Sequence, residues 1–231
     1  MRIVFVHGAC VKDGSWWWHR AAEALGARGI SSIAPGLPSC GEAGAAAGAE
    51  GPGLPEDVAA VRSVLEQGDE ETIVVAHSYG GIVAAEAAAE VATVRHLVLI
   101  SSYLPEVGQS LSDFGDGAPA SFLDPDPDAG TFGVRPGLLA DTFLQDCDVE
   151  VRSQAAAHLA RQSLKVTTQG VRAAAWTQLP TAYVVCADDR GTPAHLQREF
   201  AKKATHTFEL QSGHHPFLSQ PVAVRDLVLN L

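Results

Sequence analysis

The chain has 231 residues, 46% hydrophobic and 19% charged, enough for one ordinary core and short for two, so a single domain is expected. Sixteen basic against 27 acidic residues leave a net charge of −11, which disfavours attraction to nucleic acid or anionic lipid. Gly, Pro or charge breaks every apolar run well before the roughly 18 to 20 residues a membrane helix needs, so no membrane partner is expected either.

In chain order, Arg2 to Val6 reads as a buried strand running straight into the turn His7-Gly8. With no room for a secretory leader ahead of it, the expectation is a cytoplasmic protein. Ser32 to Ala34, Thr72 to Ala76 and His96 to Ser101 are further aliphatic runs without polar alternation, as strands covered on both faces require. Helices are expected over Trp17 to Arg28 and from Leu54, where Leu54, Val58, Val61 and Leu65 repeat at spacings of 4, 3 and 4. Pro55, Glu56 and Asp57 suit that helix's first turn, and Gly68 can end it. Another helix should cover Gly80 to Glu90. Between the first strands, Gly41 to Gly53 is low in complexity and reads as a flexible surface loop.

Residues 104–176 break the alternation, starting rich in Pro, Gly and Asp and turning helical from about Pro136 to Ala175. They are expected to form a small helical cap over one edge of the sheet, with 1–103 and 177–231 as the core. From 103 to 150 there are ten acids and one base, Arg135, so 1 − 10 = −9. Strand signals resume at Thr181 to Cys186 and Thr205 to Leu210, with helices over Ala194 to Lys203 and Pro221 to Leu229. Strands alternating with helices predict a mostly parallel sheet with helices on both faces. Cys10, Cys40, Cys147 and Cys186 form no CxxC or Cys/His cluster, so free thiols and no metal are expected.

The most informative run is Val74-Val75-Ala76-His77-Ser78-Tyr79-Gly80-Gly81, a strand that meets a serine, two glycines and a helix. This is the nucleophile-elbow pattern G-x-S-x-G with Ala76 in the first small position, where size is what matters. Serine is a poor nucleophile unless a base and an orienting acid follow. Both appear in order beyond later strands: Asp188-Asp189 after the strand ending at Cys186, and His214-His215 after Leu210. Local pattern alone leaves both aspartates open. His214 is preferred as base because His215 precedes Pro216 and is held extended. His7-Gly8-Ala9-Cys10 closes the first strand, and the N–H groups of Ala9 and Tyr79 are the expected oxyanion donors.

FVHGAC, APGLPSCG, AHSYGG, FLQDC, YVVCADDRGTP and SGHHPFLSQP together resemble the α/β-hydrolase superfamily, specifically the group of plant methylesterases, hydroxynitrile lyases and bacterial relatives. The resemblance covers nearly the whole chain. It implies an α/β-hydrolase fold, a cofactor-free serine hydrolase of a small-molecule carboxylic ester, Ser78 as nucleophile, Asp189 as acid, His214 as base, and Ala9 with Tyr79 as oxyanion donors. The chain departs from that group at Val11-Lys12-Asp13-Gly14, where His-Gly commonly follows HGAC, and at Gly36, where Asp is frequent. Hydroxynitrile lyases of this group typically carry Thr at the position of Gly8 and Lys at that of His215, which disfavours cyanide elimination. A ligand-binding or biosynthetic protein on the same fold is the reading from another class.

Other features have plainer explanations. Asp124 to Asp128 resembles a calcium loop, but the glycine falls one place late, at Gly130, and Arg135 stands at the twelfth position. Trp16, Trp17 and Trp18 cannot all face one way, so at least one belongs to the core. Phe114, Phe122, Phe132, Phe143 and Trp176 are expected as pocket lining or cap core, His77 and His7 as structural hydrogen-bonding residues, and Glu106 as an outside candidate for the acid.

Overall fold

The computed structural model describes residues 1–42, 44–115 and 120–231. Its main sheet runs β1 (Arg2–Val6), β2 (Ser31–Ile33), β3 (Thr72–His77), β4 (Val94–Ile100), β8 (Thr181–Cys186) and β9 (His206–Leu210). They lie in the order β2-β1-β3-β4-β8-β9, and every neighbouring pair is parallel. Successive side chains of a strand point to opposite faces. Ile3, Phe5, Ile73 and Val75 therefore pack to one side while Val4, Val6, Val74 and Ala76 pack to the other, and all are buried. Two covered faces are why these segments read as unbroken apolar runs.

One face is covered by α1 (Gly14–Gly26), α7 (Pro216–Ser219) and α8 (Pro221–Leu229), the other by α2 (Leu54–Leu65), α3 (Gly80–Ala87) and α6 (Ala194–Ala201). The helix from Leu54 has the expected ends: the Glu56 carboxylate accepts the Gly53 N–H at 2.7 Å, and Gly68 has φ +78°. All four cysteines are buried free thiols. No helix among the described residues is long and apolar enough to cross a membrane.

Residues 104–176 are not simply helical. Besides α4 (Pro136–Phe143) and α5 (Val149–Gln154) they contain β5 (Leu123–Asp126), β6 (Thr131–Val134) and β7 (Gln162–Ser163), a small antiparallel sheet. The segment is stitched to the loop after β1 by an antiparallel bridge between Val11 and Leu159 and by Ala160 N–H on the Cys10 carbonyl at 2.9 Å. The Gly-rich stretch Gly41–Gly53, in which Ala43 lies outside the described residues, is tied down as well. Gly48 N–H donates to Ser163 Oγ at 3.0 Å, and Lys165 Nζ to the Gly51 carbonyl at 2.8 Å.

Candidate active site

Ser78 sits between β3 and α3 with φ +50°, a backbone region a residue with a Cβ adopts only at a cost of about 1–3 kcal/mol. The strain is held from both sides: Ser78 N–H donates to the Ile100 carbonyl at 3.3 Å, and Ser102 Oγ donates to the Ser78 carbonyl at 2.6 Å. Gly80 is required because a Cβ there would overlap the Val6 carbonyl oxygen. Cys10 (φ +59°) and Ser101 (φ +42°) show the same strain beyond β1 and β4.

Beyond β8, Asp189 is buried against His214, whose Nδ1–H donates to Oδ2 at 2.7 Å. Oδ2 also accepts from Ser101 Oγ at 2.5 Å and Gln197 Nε2 at 3.0 Å, while Oδ1 accepts the Gly191 and Thr192 N–H groups at 2.7 and 3.0 Å. Burial alone would raise the Asp189 carboxyl. The His214 charge and the hydrogen bonds from His214, Ser101 and Thr192 outweigh it and hold the group below its ordinary range. Asp188 is exposed and meets Gln145 Nε2 only through its carbonyl. Glu106 is exposed too, paired with Lys203 at 2.9 Å. Of the three carboxylates weighed from the sequence, Asp189 is the one that meets His214.

His215 donates from Nδ1 to the Phe143 carbonyl at 3.0 Å, and burial together with the neighbouring His214 pushes it down to about 3. His77 donates from Nε2 to the His214 carbonyl at 3.0 Å and is pushed well below the histidine range, chiefly by burial. His7 donates from Nδ1 to the Gly8 carbonyl at 2.8 Å. The imidazoles of His77, His214 and His215 form a close buried group that a metal could in principle approach. Each already has one ring nitrogen in a protein hydrogen bond.

Ser78 and His214 line one cavity of about 460 Å³ together with Ala9 and Tyr79. Among the described residues, neither the Ala9 nor the Tyr79 backbone N–H has a protein acceptor. The wall is mainly aliphatic and aromatic, including Trp17, Phe114, Phe122, Phe132 and Phe143, and no described lining residue is Asp, Glu, Lys or Arg. Trp18 belongs instead to the core between Phe5 and Phe217, and Trp176 to the packing beside Pro105, whose carbonyl it meets at 2.7 Å. Sequence reasoning missed Ser101, Gln197 and Asp57. Only Asp57 left a trace, as a carboxylate on the apolar stripe Leu54, Val58, Val61.

A model of the family described as "Alpha/beta hydrolase family" matches residues 3–227. The chain is 27% identical over 192 residues to the alpha/beta hydrolase nvfD of Aspergillus novofumigatus, covering 76% of each protein. Among solved structures, a pyrethroid hydrolase from Sphingobium faniae JZ-2 superposes with a TM-score of 0.83 at 21% identity, over 100% of this chain and 96% of that one. Polyneuridine aldehyde esterase superposes with a TM-score of 0.80 at 22% identity, over 99% and 98%. At these identities the superpositions establish a shared fold.

Proposed function

The chain belongs to the alpha/beta hydrolase family, and on that premise we propose that it is a cofactor-free serine hydrolase of small-molecule carboxylic esters, with residues 104–176 acting as its cap. The observation that carries the reading is the 2.7 Å bond between buried Asp189 and His214, beside a serine held at positive φ on the same cavity. The esterase and the pyrethroid hydrolase among its structural relatives support it.

Ser78 Oγ attacks the acyl carbonyl as its proton passes to His214 Nε2. Nδ1–H of His214 stays on Asp189, which fixes the tautomer and stabilises the imidazolium. The Ala9 and Tyr79 N–H groups, which have no acceptor among the described residues, receive the oxyanion. Proton return from His214 to the departing alkoxide leaves an acyl-Ser78, and water activated by neutral His214 then releases the acid. A mainly apolar wall whose described residues include no Asp, Glu, Lys or Arg selects for neutral apolar groups around the ester.

Hydrolysis of p-nitrophenyl esters tests the mechanism. Ser78→Ala should abolish turnover, and Asp189→Asn should lower kcat by about 10³- to 10⁴-fold, the loss expected when the wrong histidine tautomer is favoured. Ester turnover that survives Ser78→Ala would overturn the assignment. Lack of any turnover by folded wild type would favour a non-hydrolytic role on the same fold.

A further inference from the structure

Behind the two candidate oxyanion donors runs a buried chain of polar side chains with no part in proton transfer. Cys10 N–H donates to Gln162 Oε1 at 3.0 Å, and Gln162 Nε2 donates to Ser39 Oγ at 2.8 Å. Ser39 Oγ donates to Asp57 Oδ2 at 2.5 Å, Ser39 N–H to Asp57 Oδ1 at 2.8 Å, and the Tyr79 hydroxyl to Asp57 Oδ2 at 2.8 Å. Gln162, Ser39, Asp57 and Tyr79 are all within 1% of complete burial. The chain thus starts at the residue after Ala9 and ends at the residue after Ser78.

Two features make it more than packing. Asp57 is a buried carboxylate that, among the described residues, has no Lys or Arg on it and is satisfied by the uncharged donors of Ser39 and Tyr79. Such a group is costly, and an apolar residue on this face of α2 would be cheaper. Burial raises its pKa despite the bonds from Ser39 and Tyr79. Cys10, in turn, has all its polar groups committed to the 104–176 segment: N–H to Gln162, carbonyl to Ala160 N–H at 2.9 Å, and Sγ to the Phe132 carbonyl at 3.7 Å. Cys10 also has positive φ, so this turn is strained and held from the cap side.

We propose that Asp57 and Gln162 are positioning residues that set the spacing of the Ala9 and Tyr79 N–H groups, so that the seating of the cap and the geometry of the oxyanion site are one mechanical unit. This rests on the esterase reading for its consequence in catalysis. Tyr79 then contributes twice, with its backbone N–H toward the substrate and its hydroxyl toward Asp57. Misplacement of a donor by about an ångström costs on the order of a hundredfold, because the bond must form at the oxyanion rather than the ground-state carbonyl.

The test compares wild type with Gln162→Met and Tyr79→Phe, each of which breaks one end of the chain while sparing both donor N–H groups. Active sites are counted by end-point labelling with a fluorophosphonate. Kcat per labelled site for a p-nitrophenyl ester should fall about ten- to a hundredfold with KM within about twofold, and affinity for an aryl trifluoromethyl ketone should fall by the same factor as kcat. Amide hydrogen exchange of peptides spanning residues 7–11 and 78–80 should accelerate in both variants. A lower melting temperature with unchanged kcat per site and unchanged trifluoromethyl-ketone affinity would reduce the chain to a structural role and overturn the proposal. If folded wild type hydrolyses no ester, the esterase reading fails by itself, while unchanged exchange in the variants would still refute the clamp.

Discussion

His215 and His77 are imidazoles that the fold holds neutral, and this makes stability depend on pH with a definite sign. In the unfolded chain both take up protons near the ordinary histidine pKa of about 6.5. In the folded protein His215 is pushed down to about 3 and His77 is pushed well below its ordinary value. A depressed folded pKa gives stability that is complete above the unfolded pKa and is lost as pH falls from there through the folded value. His215 alone should therefore remove about 2 kcal/mol between pH 7.5 and pH 5. Asp189 has the same sign, but its window opens only near the ordinary aspartate pKa of about 4, so the two separate. Urea unfolding of wild type and His215→Phe at both pH values checks this. The variant should lose about 2 kcal/mol less on acidification, and equal losses would refute the buried-neutral assignment. At the same scale, the gathering of Ser78, His214 and Ala9 on one cavity was legible because each follows a strand in a fixed local pattern. Asp189 was separable from Asp188 only by resemblance, since side-chain direction in a loop is decided by tertiary contacts such as the Gly191 and Thr192 N–H bonds to Oδ1. Ser101 and Gln162 were invisible for that reason, as their partners lie 88 and 123 residues away.

Helix α1 docks on the sheet by burying Trp17, Trp18, Ala21 and Leu25. Trp18 stacks on Phe5 of β1 at 4.4 Å and on Phe217 of α7 at 3.9 Å between ring centroids, joining three elements. Trp18→Ala should cost about 3–5 kcal/mol, the range for removing a large buried aromatic, measured as a shift in the urea midpoint at constant m-value. A loss below about 1 kcal/mol would mean the sandwich collapses without penalty. Elements of this kind were predictable in position because covered parallel strands and amphipathic helices have unmistakable periods. The boundaries moved by a few residues, as where the strand expected over His96 to Ser101 is β4, Val94–Ile100. The sheet of β5, β6 and β7 was missed for a physical reason. Pro125 and the flanking aspartates argue against a strand, yet among the described residues β5 pairs on one side only, where a missing N–H is tolerated. Strand β7 is two residues long, below what any periodicity can register.

Charge is distributed so that none of the described acids of the acidic segment lines the cavity. Asp124 is engaged by Arg161 and Arg135, Asp148 by Arg20, Glu106 by Lys203, and Asp141 by Arg152. Asp146 accepts the Gly213 N–H at 2.8 Å, and Asp113 accepts from Ser110. Asp126, Asp128 and Glu150 are exposed, none of these acids lines the cavity, and Asp116 lies outside the described residues. The sequence carried the excess charge but not its direction, which depends on which side of a short sheet each residue faces. Exposed charges act weakly through salt water, where the screening length is about 8–10 Å. Asp126→Asn with Asp128→Asn should therefore leave kcat/KM for a neutral p-nitrophenyl ester within about twofold. Discrimination against anions should come from the wall instead. A carboxylate on the acyl group would be stripped of water in a cavity with no described lysine or arginine to receive it, at a cost of several kcal/mol. Mono-p-nitrophenyl succinate should thus be hydrolysed at least about a hundredfold less efficiently than the neutral butyrate ester. That ratio should persist in the double Asn variant and at 0.5 M NaCl. A ratio that collapsed in either condition would place the discrimination in the acidic surface, and a ratio near one would refute a charge-free binding site.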